Sequence, residues 1–287
     1  MKISIITPTY NRASLIERAI QSVLSQTHQD FEMIIVDDAS EDHTEQVVSN
    51  YKNDTRIRYY RLEHNSGVNK ARNFGLARVA EEVEAITFLD SDDEFTSDAL
   101  YKIKKRLEKY TDVNSFRFAV QYKDGKIVSN KNYVGKTLDF VSFVNDMYEI
   151  GEWVCVFRKC IIDGGFRYIE DIDAFEVLSY IKLAKEEKQY FSSDIVRTYY
   201  VGHESISNTQ LSGKKMNNSI KAYERMLLIL GDRSSEIRRK TYGRILYALS
   251  YFYMLSGNKK KGFLCNLRAF RKNPFDLRFF RNLIKLI

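Results

Sequence analysis

The first hundred residues alternate short β-branched runs with amphipathic stretches, a pattern that restricts them to a parallel sheet covered by helices. Residues 3–7 read as a buried strand. Residues 14–26 read as a helix with Leu15, Ile16, Ala19, Ile20, Val23 and Leu24 on one face and Ser14 and Glu17 in capping-box spacing. A second strand spans 31–37, a helix starts at Asp42 or Thr44, and a third strand covers 57–62. A helix over 69–82 and a fourth strand over 85–90 complete a βαβαβαβ order. Residues 114–159 are rich in Val, Phe and Tyr around Lys123-Asp124-Gly125-Lys126 and predict strands and a hairpin. Beyond them a helix is expected over 174–187 and a strand over 195–200. Helices are expected near 218–230, 236–255, 259–272 and 277–287, punctuated by Gly257 and Pro274.

The net charge of +7 conceals a division. After residue 210 there are 18 Lys and Arg against 4 Asp and Glu, so the preceding part is net acidic. That asymmetry predicts two regions with separate roles: 1–210, in which a βα-alternating half over 1–112 gives way to a strand-rich half over 113–210, and a basic helical region over 211–287. No apolar run reaches the about 18 residues that a membrane-spanning helix needs. Met1-Lys2 leads directly into Ile3-Ser4-Ile5-Ile6 without a cleavage site, so a cytoplasmic protein is expected. Cys155, Cys160 and Cys265 lack paired metal-ligand spacing and predict free structural thiols.

Ligands of parallel α/β sheets bind beyond the carboxyl ends of the strands. Three such ends are polar: Thr7-Pro8-Thr9-Tyr10-Asn11-Arg12, Asp37-Asp38-Ala39-Ser40 and Asp90-Ser91-Asp92-Asp93. The first carries Pro8 in its turn and no glycine, which argues against a dinucleotide site while leaving Asp37 able to accept from a base or ribose. Three carboxylates in four residues repel one another, and a hard divalent ion, Mg²⁺ or Mn²⁺, shared with a diphosphate would offset them. The alternative is a solvated turn that caps the next helix. In the stretch from Asn65 to Gly75 the glycines allow close backbone approach and Arg72 can meet phosphate oxygens or pair with a helix-face carboxylate.

Together these stretches resemble the inverting family 2 glycosyltransferases of the GT-A fold: a Rossmann-like, mostly parallel sheet flanked by helices, here followed by a C-terminal helical region. The matching pieces are residues 5–12, 35–42, the Ala-Arg-Asn-x-Gly stretch within 65–75, and 88–93, with weaker likeness at 164–166 and 200–207. The resemblance implies that Pro8, Thr9, Tyr10, Arg12, Asp37, Asp38, Asn65, Gly67, Arg72, Asp90 and Ser91 form the nucleotide site, with Asp92 and His203 as metal ligands. It implies a nucleotide-sugar donor, most readily a UDP-sugar, and a saccharide or lipid-linked acceptor in surface-polysaccharide synthesis. In an inverting transfer a carboxylate accepts the acceptor's proton. Matching the letters of the family's Glu-Asp motif selects Asp171, whereas matching the helix that follows selects Glu176. Asp173 and Glu176 also have the spacing of a helix cap and its partner. Trp153 is a candidate platform for an acceptor sugar, with core packing as its alternative.

Residues 277–287 place Arg278, Arg281 and Lys285 on one helical face and Phe279, Phe280, Leu283, Ile284 and Ile287 on the other. Such a segment suits peripheral contact with an anionic membrane, or packs on the rest of the protein. A pI near 9.1 raises nucleic-acid binding as a rival. The charge is confined to the tail and no nucleic-acid motif accompanies it, so no such partner is expected. A nucleotidyltransferase on a related fold is a second rival, distinguished by release of pyrophosphate.

Overall fold

The computed structural model describes residues 1–173, 175–200 and 212–284. Its first half follows the βα alternation: β1 (Lys2–Thr9), α1 (Ile16–Leu24), β2 (Phe31–Asp37), α2 (Thr44–Ser49), β3 (Ile57–Arg61), α3 (Val68–Leu76) and β4 (Val83–Phe88). Next come β5 (Glu94–Phe95), α4 (Ala99–Lys109), β6 (Ser115–Tyr122), β7 (Thr137–Leu138), α5 (Phe140–Asp146), β8 (Trp153–Arg158), α6 (Lys159–Asp163), α7 (Glu176–Ala184) and β9 (Gln189–Tyr199). Four helices follow: α8 (Gly213–Leu230), α9 (Arg239–Leu255), α10 (Lys259–Lys272) and α11 (Arg278–Ile284).

The strands form one sheet in the order β3-β2-β1-β4-β8-β6-β9-β5, with β7 on β9. The β3-β2-β1-β4 half is parallel throughout. β8 runs antiparallel to both β4 and β6, and β6 is parallel to β9, so the sheet is mixed but mostly parallel. The described residues divide into two compact units. One comprises 1–139, 148–170 and 183–200, the other 140–147, 171–182 and 212–284.

In the first unit the core is built from alternate strand residues. Ile3 and Ile5 of β1 with Met33 and Ile35 of β2 meet Ile16, Ala19, Ile20 and Val23 of α1, all fully buried. On the other side α3 lies against β1 and β2. A Cβ on Gly75 would come 2.7 Å from Ile6 Cγ2, so the glycine of the Ala-Arg-Asn-x-Gly stretch lets helix and sheet approach. In the second unit α9 and α10 pack through Leu246, Tyr247 and Ala269, and through Leu249, Tyr253 and Cys265.

Several local expectations are revised. The capping box of Ser14 and Glu17 does not form: Leu15 occupies the N-cap of α1 without a side-chain bond. The preceding turn is tied down elsewhere, because Arg12 and Ala13 donate their backbone N–H groups to Thr44 and Asp42. β1 continues through Pro8 and Thr9, which pair with Val36 and Asp37, so Pro8 lies in the strand and the turn begins at Tyr10. Pairing with β4 has ended at Ile6 by that point, which relaxes the demand for a proline N–H. The hairpin at Lys123–Lys126 forms, closed by Tyr122 N–H to Lys126 O at 2.8 Å. The stretch expected to be all strand contains α5. α7 starts at Glu176, so Glu176 is its first residue and not the third after a cap at Asp173.

The tail helix also departs from its expected faces. Phe279 stacks on Phe270 at 4.5 Å and Asn282 is fully buried, donating to Tyr247 O, while Phe280 and Ile284 are exposed with Arg281. Lys285 and Ile287 lie outside the described residues. No helix among the described residues is long and apolar enough to cross a membrane.

Candidate active site

The carboxyl ends of β1 and β2 are laced together side by side. Asp38 N–H donates to Thr9 O at 2.8 Å. Asn11 N–H donates to Ser40 Oγ at 2.9 Å, and Glu41 N–H to Asn11 Oδ1 at 2.8 Å. Two non-glycine residues, Asn11 at φ 51° and Ala39 at φ 65°, hold left-handed conformations in these facing turns. Asparagine tolerates that region through its short polar side chain, whereas at Ala39 the conformation is strained and the surrounding bonds impose it.

Asp37 and Asp38 point their charges at backbone amides. Asp37 Oδ1 accepts from Ser40 N–H at 2.7 Å and Oδ2 from Tyr59 OH at 2.6 Å. Burial, and then the adjacent carboxylate, raise the Tyr59 pKa above its ordinary value. Asp38 reaches across to the loop before α3, taking Ser66 N–H on Oδ1 at 2.7 Å and Gly67 N–H on Oδ2 at 2.8 Å. Gly67 has φ 92°, which explains a glycine there. Asn65 and Tyr10 are exposed beside these residues in the chain, and Thr9 Oγ1 is buried with no hydrogen-bond partner among the described residues.

The acidic turn after β4 is governed by arginines. Arg72 of α3, itself buried, donates from Nη2 to Asp90 Oδ1 at 3.1 Å. Arg197 of β9, 5% exposed, takes three carboxylates: Asp90 Oδ2 at 3.4 Å, Asp93 Oδ2 at 3.4 Å and Glu152 Oε1 at 2.6 Å. Arg12 Nε lies 3.8 Å from Asp92 Oδ2, and Arg18 of α1 donates to the Asp92 carbonyl oxygen. Burial opposes the ionisation of Asp90, but Arg72 and Arg197 prevail and hold its pKa below the ordinary value. Burial pushes Asp93 up to about 7 against the pull of Arg197, with its Oδ1 accepting from Tyr200 N–H. Burial opposes the charge on Arg197, yet Glu152, Asp93 and Asp90 raise its pKa. Ser91 is buried within the turn.

Much of the repulsion assigned from sequence to an external cation is thus offset within the chain. Among the described residues no cluster of three His, Cys, Asp or Glu is disposed to hold a metal. Asp92, whose side chain is 19% exposed, offers one oxygen ligand beside Asp90. One carboxylate plus substrate phosphates is a recognised way to hold a hard divalent ion, so the donor chemistry fits a metal that arrives with a diphosphate. His203 lies outside the described residues.

The base candidates belong to the second unit. Asp171 pairs with Arg225 at 2.7 Å, Asp173 lies 4.0 Å from Lys214 and exchanges two bonds with the Asn218 amide, and Glu176 opens α7. Trp153 is 7% exposed, donates its indole N–H to Ile150 O at 2.7 Å and meets Phe191 edge-on at 5.0 Å. Its packing alternative is the one the structure displays. Sequence reasoning passed over Arg18, Glu152 and Arg197. Arg197 carried a signal, since it is a lone cation in the apolar run Ile195 to Tyr199 and charges are seldom buried without partners.

Residues 4–166 match the sequence model described as Glycosyl transferase family 2, more than half of the chain. The chain belongs to glycosyltransferase family 2. It is 30% identical over 283 residues to the GalNAc(5)-diNAcBac-PP-undecaprenol beta-1,3-glucosyltransferase of Campylobacter jejuni, covering 93% of this chain and 88% of that one. It is 46% identical over 107 residues to the putative teichuronic acid biosynthesis glycosyltransferase TuaG of Bacillus subtilis, covering 37% of this chain and 40% of that one. The crystal structure of S. aureus TarS 1–349 in complex with UDP-GlcNAc shares the fold with a TM-score of 0.72 at 19% identity, over 99% of this chain and 88% of that one. The GT-A fold expected from the motifs is therefore the one adopted.

Replacing Arg197 with methionine would leave Asp93 buried without its counter-charge. Arg197→Met is expected to lower stability by about 3 kcal/mol, seen as a reduced urea midpoint at unchanged slope. An unaltered midpoint would show that the three ion pairs contribute nothing net.

Proposed function

We propose that this glycosyltransferase moves a sugar from a UDP-sugar to a hydroxyl of a saccharide or lipid-linked acceptor, with inversion at the anomeric carbon. The observation that carries the reading is the convergence of Thr9, Asp37, Asp38 and Gly67 in one bonded network, with Arg72 on Asp90 nearby on the same helix and sheet. A carboxylate has about four lone-pair sites, so Asp37 and Asp90 retain capacity to accept from a base or ribose after their internal bonds are made. The UDP-GlcNAc complex of the fold relative TarS and the undecaprenol-linked substrate in the Campylobacter relative's name support the donor and acceptor classes.

In such a transfer the acceptor oxygen forms a bond to the anomeric carbon as the bond to the diphosphate oxygen breaks on the opposite face. A carboxylate of this chain takes the hydroxyl proton. We place the base among Asp171, Asp173 and Glu176, and prefer Glu176, whose position at the start of α7 favours negative charge. A divalent cation held by Asp92 and the donor's diphosphate would offset charge developing on the leaving group. A fold relative, the Pyrobaculum calidifontis mannosyltransferase PcManGT, was solved with GDP-Man and Mn2+, at a TM-score of 0.53, 16% identity and coverage of 98% of this chain and 78% of that one.

The basic second unit is proposed to bring the enzyme to the inner face of the plasma membrane, where a lipid-linked acceptor resides. Phe275 and Leu277 are 94% and 79% exposed, Phe280 and Ile284 are exposed beyond them, and Arg271, Lys272 and Arg281 are near in the chain. Apolar side chains flanked by cations suit an anionic lipid interface.

Asp92→Asn should abolish Mn2+-dependent release of UDP from UDP-sugars, by a factor of about 100 or more for a lost electrostatic stabiliser, while circular dichroism stays unchanged. Full turnover in that variant would defeat the metal assignment. Glu176→Gln and Asp171→Asn should separate the base candidates: the base variant keeps its affinity for UDP and loses transfer, and retention of transfer in both rejects both. Truncation after Asp276 should weaken sedimentation with vesicles containing phosphatidylglycerol, whereas equal binding would exclude the tail as a membrane contact.

A further inference from the structure

The Ala-Arg-Asn-x-Gly stretch has one residue without a role so far. Arg72 holds Asp90 and Gly75 admits the helix to the sheet, but Asn73 turns away from both tasks. Its side-chain amide is buried and makes three bonds to residues nearly a hundred positions away. Nδ2 donates to Tyr168 O at 2.8 Å and to Glu170 Oε1 at 2.8 Å, and Oδ1 accepts from Tyr168 N–H at 2.8 Å. One turn earlier on α3, Asn69 donates from Nδ2 to Ile169 O at 2.9 Å. Two asparagines four apart share a helix face, and together they grip three consecutive residues, 168–170. Tyr168 is buried edge-on against Phe88 at 5.3 Å, and Arg72 lies 5.4 Å from its ring.

This strap runs from the Gly164-Gly165-Phe166 turn and leads directly into Asp171, Asp173 and Glu176. We infer that Asn73 is a positioning residue, which fixes the point from which the chain departs towards the carboxylate that accepts the proton. The inference rests on the proposed function in taking that base from 171–176. On this account two adjacent residues of one helix serve two partners: Arg72 holds the Asp90 carboxylate, and Asn73 anchors the strap. The bonds to backbone atoms are independent of the strap's side chains, whereas the bond to Glu170 gives the anchor a polarity that can be reversed.

Asn73→Asp keeps an acceptor for Tyr168 N–H, loses both donated bonds and sets a carboxylate against that of Glu170. Adding Glu170→Gln supplies an amide donor to the new carboxylate and restores the link in the opposite sense. In Asn73→Asp we expect UDP release from UDP-glucose or UDP-GlcNAc to slow at least tenfold, with UDP affinity by titration calorimetry in Mn2+ within twofold of wild type. Backbone amides of 168–171 should exchange at least tenfold faster. The double variant, which regains the link to position 170 but not the donation to Tyr168 O, should recover turnover and exchange protection at least threefold over Asn73→Asp. A residue that merely stabilised α3 would lower UDP affinity together with turnover and would not be rescued by a change at position 170. Unchanged exchange in Asn73→Asp, or a double variant no better than the single one, overturns the inference. Wild-type protein that fails to bind UDP counts instead against the donor reading, and the exchange result still judges the anchor.

Discussion

Carboxylates crowded at the end of an apolar strand repel one another, most strongly where burial removes the screening water, as at Asp93. Asp90, Asp92 and Asp93 coexist in this chain because guanidiniums reach them from three separate elements: Arg12 and Arg18 around α1, Arg72 on α3 and Arg197 on β9. The turn they stabilise also joins β4 to β5, strands separated by β8, β6 and β9 in the sheet order. The same contacts that neutralise the charge therefore hold the connection across the sheet. Arg197 extends the tie to Glu152 at the entrance to β8, so the turn after β4, the start of β8 and β9 itself are joined through one buried cation.

What was legible in the sequence was local. The periods of two and 3.6 located β1 to β4 and the tail helices, because strand and helix patterning is written into adjacent residues. The strand-end motifs single out Asp38, which bonds Thr9 and Gly67, Asp37, which bonds Ser40 and Tyr59, and Arg72, which pairs with Asp90. The non-local partners were hidden: nothing near Arg197 in the sequence announces Asp90, Asp93 or Glu152, and nothing near Asn73 announces Tyr168. The missed capping box at Ser14 has the same origin. Its spacing is right, but Thr44 and Asp42 capture the turn before α1 and leave the helix to start at Ile16.

The second unit shows how buried amides can pin a helix that has few apolar contacts to offer. Asn266 donates to Phe279 O and Asn282 to Tyr247 O, so α11 is fixed through two buried side-chain to backbone bonds. An amphipathic pattern drawn from the sequence alone assigned Phe279 and Phe280 to one face. The amides rotate that face, covering Phe279 and leaving Phe280 outside.

Asp38 spends both carboxylate oxygens on the amides of Ser66 and Gly67, and Asp37 has its own oxygens engaged by Ser40 and Tyr59. The loop ahead of α3 is thereby ordered by folding itself, before any nucleotide arrives. On the proposed function, a loop ordered in advance loses little conformational entropy when a nucleotide binds beside it, so more of the contact energy is expressed as affinity. On that reading, loosening Asp38 would weaken nucleotide binding through the loop it holds, by a route other than direct contact.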